Sequence, residues 1–266
     1  MRVRGTVTYD GSFFHGFAIN QDVRTVAGDL TANFSRVLGQ EITLTCAGRT
    51  DRGVHAVGQV ISFDAPDDVD LKKLRHSLNR LCRPSIALTE LVEAPQDFDA
   101  RFSANGRCYR YRILNRPDPD PFLVNTAWHV STPLRIDLME KAAAHLVGLH
   151  NFASFCKRTP PQPGYQERSL IRHVEEVSWR SLENDVVEFE ISASSFCHQM
   201  VRAVVGTLVD VGRGRTAERR IPEILAAQDR QFAGPLAPPH GLTLWSVRYP
   251  SLEVDEARVA EGEPPA

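Results

Sequence analysis

Apolar residues recur along this chain with two periods, and the changes between them divide it into elements. A strand-like run near Val3–Tyr9 comes first. Val26, Leu30, Phe34 and Val37 then fall on one stripe of a helix, with Thr25 placed to cap its start and Gly39 to end it. The β-branched and apolar stretch Glu41–Ala47 and the run Val57–Phe63 predict two strands joined by a wide hairpin loop. Asp70 can cap a second helix bearing Leu71, Leu74, Leu78 and Leu81, and a strand follows at Ile86–Val92. The order then repeats: strand Cys108–Leu114, helix near Ile136–Val147, strands near Leu170–Trp179 and Val186–Ala193, helix Met200–Val211 and strand Leu242–Tyr249.

A β-α-β-β-α-β order is that of the ferredoxin-like split unit. The pattern therefore predicts an α+β fold of two such halves, residues 1–105 and 106–250, with mainly antiparallel sheets side by side and a central cleft. Residues 251–266 are acidic, end Gly-Glu-Pro-Pro-Ala and read as a disordered tail. Thr159–Tyr165 is rich in Pro and Gly, can continue neither a helix nor a central strand, and is predicted as an exposed loop. Flanked by Lys157, Arg158 and Arg168, it reads equally as an ordinary surface loop and as one that closes on a phosphate backbone.

The chemistry concentrates in the first hairpin loop. Ala47-Gly48-Arg49-Thr50-Asp51-Arg52-Gly53-Val54-His55 places two arginines and one carboxylate between glycines where two strands should meet. Glycines at 48 and 53 allow backbone conformations that other residues resist, which is how a short loop aims one side chain into a cleft. A single Asp in such a loop is also a common turn former, so both readings stand.

Length and composition set bounds. The 266 residues, 42% hydrophobic, suffice for one large domain or two small ones with sizeable cores. No apolar run is long enough to span a bilayer and no signal peptide is evident, so a cytoplasmic protein is expected. Cys46, Cys82, Cys108, Cys156 and Cys197 are widely spaced without a C-x-x-C pair, which suggests neither zinc nor a disulfide framework but buried, reduced fillers.

The formal net charge of −2 is unlike that of a nucleic-acid binder, yet the segment from Glu253 onward carries −4 of it, leaving +2 for residues 1–252. The cations are clustered: Arg49 and Arg52; Arg101, Arg107, Arg110 and Arg112; Lys157 and Arg158; Arg213, Arg215, Arg219 and Arg220. Any one cluster reads as a solvated face, and the last also offsets a helix dipole.

Gly48-Arg-Thr-Asp-Arg-Gly-Val-His55, followed by Gly58-Gln59-Val60, resembles the active-site motif of the tRNA pseudouridine synthase A family, G-R-T-D-A-G-V-H. Tyr9-Asp10-Gly11 with Phe14-His15-Gly16 resembles the family's opening strand and turn, and Arg101-Phe-Ser-Ala104 with Tyr109-Arg-Tyr111 its second motif. Ser195-Phe-Cys-His-Gln-Met-Val-Arg202 with Gly206 resembles the third, and Gly241-Leu242-Thr-Leu244 the closing strand. The likeness runs through nearly the whole chain in the family's order.

The resemblance implies an isomerase that detaches uracil from its ribose, turns it and rejoins it through carbon, with no cofactor because no electron or group enters or leaves. Asp51 would be the nucleophile, Arg202 the cation that pairs with its carboxylate, and Tyr109 the ring that lies against the base and helps remove the proton from its carbon. Arg49 would occupy the place of the flipped-out nucleotide and Leu242 would line the uracil pocket. The implied partner is the anticodon stem-loop of tRNA, bound by a homodimer.

Three departures bear on substrate choice: Arg52 where the family has a small residue, Asn79–Ile86 where it has Leu-Pro and Asp-Ile pairs, and Phe17-Ala18 for Trp-Gln. Arg52 places a bulky cation beside the nucleophile and is a further candidate substrate contact. The alternatives are a paralogue using the same chemistry on another RNA or a free uridine nucleotide, and a non-catalytic RNA-binding protein. A glycoside hydrolase is disfavoured, because that chemistry wants two placed carboxylates and the loop offers one.

Overall fold

The computed structural model describes residues 1–157 and 169–250, and the chain divides into two compact units, Met1–Arg107 with Thr243 onward, and Cys108–Leu242. The expectations for Arg158, the Thr159–Tyr165 loop, Arg168 and the tail after Pro250 lie outside the described residues.

The first unit begins with β1 (Arg2–Tyr9), whose side chains alternate between half-buried and buried as a sheet with one packed face requires. α1 (Val26–Leu38) starts where the Thr25 hydroxyl accepts the Gly28 N–H at 3.2 Å and stops at Gly39, which takes the left-handed conformation at φ 70°. Val26, Leu30 and Phe34 of the expected stripe are buried, but Val37 is exposed, since the helix has already turned that position away from the core. The strand expected over Glu41–Ala47 shrinks to β2 (Thr45–Cys46), while its partner β3 (His55–Asp64) begins two residues earlier than the apolar run.

α2 (Leu71–Cys82) is capped by Asp70, which accepts the Lys73 N–H at 3.0 Å. Its buried row is Leu74, Leu78 and Cys82 rather than Leu71, Leu74, Leu78 and Leu81. The i, i+4 spacing carries the thiol inward, and Leu81 lies exposed. β4 (Ile86–Glu93) and β3 flank β1, both antiparallel to it. The core of this unit includes the ring pair Phe34 and Phe63, 4.5 Å between centroids.

The second unit carries β5 (Gly106–Leu114), β6 (Trp128–His129), α3 (Ile136–Ala144), β7 (Gly148–Asn151), β8 (Ile171–Ser181), β9 (Val186–Ala193), α4 (Met200–Gly212) and α5 (Ile221–Ala227). Its strand order is β5-β9-β8-β7. In α4 every position except Arg202 and Asp210 is buried, as expected of a helix apolar around almost its whole circumference. Gly206 makes this possible, for a Cβ there would fall 1.7 Å from the Pro235 carbonyl oxygen, so residues 234–237 cross the helix at van der Waals contact.

The last strand, β10 (Leu242–Arg248), returns the chain to the first unit, where Thr243 and Leu244 pair in parallel with His55 and Ala56. The architecture is thus mixed α+β. No described helix is long and apolar enough to cross a membrane.

Candidate active site

In the first unit, the loop between β2 and β3 rests on a buried polar floor. Gln59, fully buried on β3, turns its amide to Gly48: Nε2 donates to the Gly48 carbonyl at 2.6 Å and Oε1 accepts the Gly48 N–H at 3.3 Å. Two residues on, the Thr50 hydroxyl lies 2.8 Å from the Tyr9 hydroxyl, and the Thr50 carbonyl accepts the Phe17 N–H at 3.0 Å.

Asp51 is half-buried and follows immediately; its carbonyl accepts the Val54 N–H at 3.1 Å, closing a four-residue turn. Gly53 stands in that turn at φ 77°, the sign glycine tolerates best. Gly48 does not take a positive φ; its place is set by Gln59 instead.

The opening turn of the chain wraps the other side of the loop. The Gly11 N–H donates to His55 Nδ1 at 3.0 Å, and Asp10 Oδ1 lies 3.2 Å from the same nitrogen. Gly11 abuts the loop so closely that a Cβ would sit 2.1 Å from the Val54 carbonyl oxygen. Gly16, at φ 100°, approaches likewise, with a Cβ position 2.9 Å from the Thr50 carbonyl oxygen.

Arg49 and Arg52 flank Asp51 as exposed side chains. Burial pushes the Cys46 thiol up to about 11, against the nearby charges of Arg49 and Arg101. It therefore remains a thiol at neutral pH and does not compete as a nucleophile.

The second unit carries the other candidates. Tyr109 is buried on β5, its ring edge-on to Phe196. Two positions along the strand, Tyr111 is fully buried and donates its hydroxyl to the Pro238 carbonyl at 2.8 Å. Burial pushes that phenol far up, although the charge of Arg202 pulls the other way. Arg202 is held to the crossing segment twice: its Nε donates to the Ala237 carbonyl at 2.8 Å, and its own carbonyl accepts the Ala237 N–H at 3.1 Å. These bonds orient the guanidinium plane. Leu242 is buried at the end of the unit.

Much of the expected basic surface is spent internally. Arg107 donates to the carbonyls of Ala104, Arg101 and Ala47. Arg110 pairs with Glu190, and Arg112 with Glu188 at 2.8 Å, while Arg180 pairs with both carboxylates. Burial raises the Glu188 carboxyl, but the hydrogen bonds and charges of Arg112 and Arg180 outweigh it and hold the group below the ordinary range. Arg213 lies over the Trp128 ring at 5.6 Å, and Arg215 and Arg220 face Asp210 and Glu223.

The thiols also depart from expectation. Cys156 and Cys197 form a disulfide, with Cα atoms 5.9 Å apart, whereas Cys46, Cys82 and Cys108 are free. Wide spacing in sequence does not forbid the pair, because folding brings the ends of a long loop together at little extra entropic cost. No cluster of three His, Cys, Asp or Glu suited to a metal occurs among the described residues.

The residues that position the loop were visible only as parts of motifs. Gln59 interrupts an apolar strand run, a signal that a buried polar side chain there has a partner; Tyr9 and Thr50 carry no comparable local signal.

The family model described as tRNA pseudouridine synthase matches residues 6–103 and 142–250. The chain is 42% identical over 246 residues to a tRNA pseudouridine synthase A of Moorella thermoacetica, covering 92% of this chain and 98% of that protein. It is 37% identical to proteins of the same name from Myxococcus xanthus, covering 93% and 92%, and Bacillus subtilis, covering 94% and 99%. The chain belongs to the tRNA pseudouridine synthase family.

Proposed function

We propose that this tRNA pseudouridine synthase uses Asp51 as its nucleophile on uridines of the anticodon stem-loop. Members of the family isomerise uridine in tRNA, so the product has the atoms of the substrate: the bond from ribose C1′ to N1 of uracil breaks, a bond from C1′ to C5 forms, C5 loses a proton and N1 gains one. A carboxylate that attacks the base or the sugar splits this into easier steps. Asp51 is the carboxylate the reading assigns. The single observation supporting it is the fixed turn: Asp51 heads a turn clamped from below by Gln59 and Thr50 and from the side by Gly11 and Gly16.

Tyr109 is assigned to the target base and to removal of the C5 proton, Arg202 to keeping the attacking carboxylate ionised, and Leu242 to the uracil pocket. Arg49 takes the place of the flipped nucleotide, and Arg52 adds a further substrate contact. Flipping costs a few kcal/mol of unstacking, which cationic side chains at the site offset. The same reading takes both units as ferredoxin-like split units and the protein as a cytoplasmic homodimer.

The deciding experiment is pseudouridine mapping on an unmodified tRNA transcript treated with wild type and with Asp51→Asn. Conversion confined to the anticodon arm by wild type, and none by the variant, is the expected result. Conversion by the variant refutes the nucleophile, and conversion elsewhere in the tRNA refutes the site.

A further inference from the structure

We propose that Tyr9, Thr50 and Gln59 are positioning residues that fix the direction of the Asp51 carboxylate, a proposal that rests on the reading of Asp51 as nucleophile. All three are buried, with 3%, 7% and 0% of their surfaces exposed. They hold the loop at Gly48 and Thr50, the residues on either side of Arg49 and directly before Asp51.

At Gly48 the polarity of the network follows from what each group can donate. The Gly48 N–H can only donate, so the Gln59 atom facing it is the oxygen, and Nε2 is left for the Gly48 carbonyl. The second Nε2 hydrogen is directed at the Tyr9 hydroxyl oxygen, a long contact at 3.5 Å. The Tyr9 hydroxyl in turn meets Thr50 Oγ1 at 2.8 Å, a bond in which either hydroxyl can be the donor.

Burial alternates along the segment: Arg49 is exposed, Thr50 buried, Asp51 half-buried. Thr50 is bonded directly to Asp51, so a Thr50 hydroxyl anchored in the floor and a Thr50 carbonyl held by the Phe17 N–H fix the backbone from which the Asp51 side chain leaves. A nucleophile misplaced by about 1 Å loses on the order of a hundredfold in rate, so an anchor one residue away acts on turnover more than on RNA binding.

The test compares Tyr9→Phe, Thr50→Val, Thr50→Ser and the double variant Tyr9→Phe/Thr50→Val with wild type, with Asp51→Asn run beside them. Single-turnover and steady-state pseudouridine formation on a tRNA transcript give kcat and KM, normalised to the folded fraction by circular dichroism. Tyr9→Phe and Thr50→Val should each lower kcat about tenfold, the rate equivalent of one net hydrogen bond, with KM within about twofold. Thr50→Ser should recover most of the Thr50→Val loss. The double variant should fall no further than the worse single one, because both remove the same bond.

Wild-type kcat in both single variants, equal losses in Thr50→Ser and Thr50→Val, or losses that multiply in the double variant would overturn the proposal. Should Thr50→Val fail to fold, Tyr9→Phe against wild type decides it alone. A dead Asp51→Asn beside fully active Tyr9→Phe and Thr50→Val removes only the positioning role. An active Asp51→Asn removes the nucleophile itself.

Discussion

The ring of Phe196 stands edge-on to that of Tyr109, centroids 5.0 Å apart and planes at 83°. An edge-to-face pair of this kind contributes about 1 kcal/mol beyond the area it covers. Here it braces one side of a buried ring assigned to the target base. Phe196→Ala should therefore loosen Tyr109, lowering turnover by about tenfold while leaving tRNA affinity close to wild type. Kinetics on a tRNA transcript beside a binding titration will show which of the two moves.

Asp51→Asn and Asp51→Ala should both abolish isomerisation, since neither side chain attacks covalently. The turn is held by backbone contacts and by Gln59, Thr50 and Gly53, so stability should change by only about 0.5 kcal/mol. A melting curve and tRNA binding equal to wild type, with no product, is the expected combination.

Gly16→Ala tests the clamp from the other side. Its φ of 100° is unfavourable for any side chain, and the new methyl would sit 2.9 Å from the Thr50 carbonyl oxygen. A loss of about 1–3 kcal/mol is expected in denaturant unfolding. Residual activity should fall further than the folded fraction does, because the displaced backbone is that of Thr50 and Asp51.

Glu188 makes a prediction about pH. Its folded carboxyl titrates below the ordinary 4.5, so the stability it contributes is complete above that value and is lost as pH falls through the folded pKa. With its side chain 2% exposed between Arg112 and Arg180, Glu188→Gln should cost about 1–3 kcal/mol at pH 7. The gap between wild type and variant should close on acidification below pH 4.5, as melting temperatures measured from pH 7 down to 3 would show.

Arg202 donates through Nε to Ala237, a contact lysine has no atom to reproduce in the same fork. Arg202→Ala should cut turnover far more than affinity, and Arg202→Lys should recover only part of it. Equal turnover in all three enzymes at neutral pH would show that the guanidinium plays no part in the reaction.

Much of this fold could be read locally. Thr25 and Asp70 cap α1 and α2, Gly39 ends α1, and β9 runs over Val186–Ala193 as its apolar run predicts, because capping and strand pattern depend on neighbours in the chain. The Gly48–His55 motif marked the loop for the same reason. Errors fell where a local signal was ambiguous: Leu81 and Cys82 both suit a helix, and only the direction of the core decides which is buried. Arg110 and Arg112, which as part of a cation cluster read as a solvated face, are instead paired with Glu190 and Glu188, far along the chain.

The amino-acid order by itself thus determined the longer helices and most of the longer strands, the caps of α1 and α2 and the family, since each rests on short-range sterics or on a motif written in consecutive residues, whereas the short β6, β7 and α5 carried no such signal. Tertiary structure alone decided the partners of the polar side chains. Gln59 meets Gly48 and Tyr9 meets Thr50 because sheet pairing and close packing at Gly11 and Gly16 bring distant residues within bonding distance, and Cys156 meets Cys197 across a separation of 41 residues. A buried polar group must find a partner or lose its hydration uncompensated, and which partner it finds is a property of the whole packed chain.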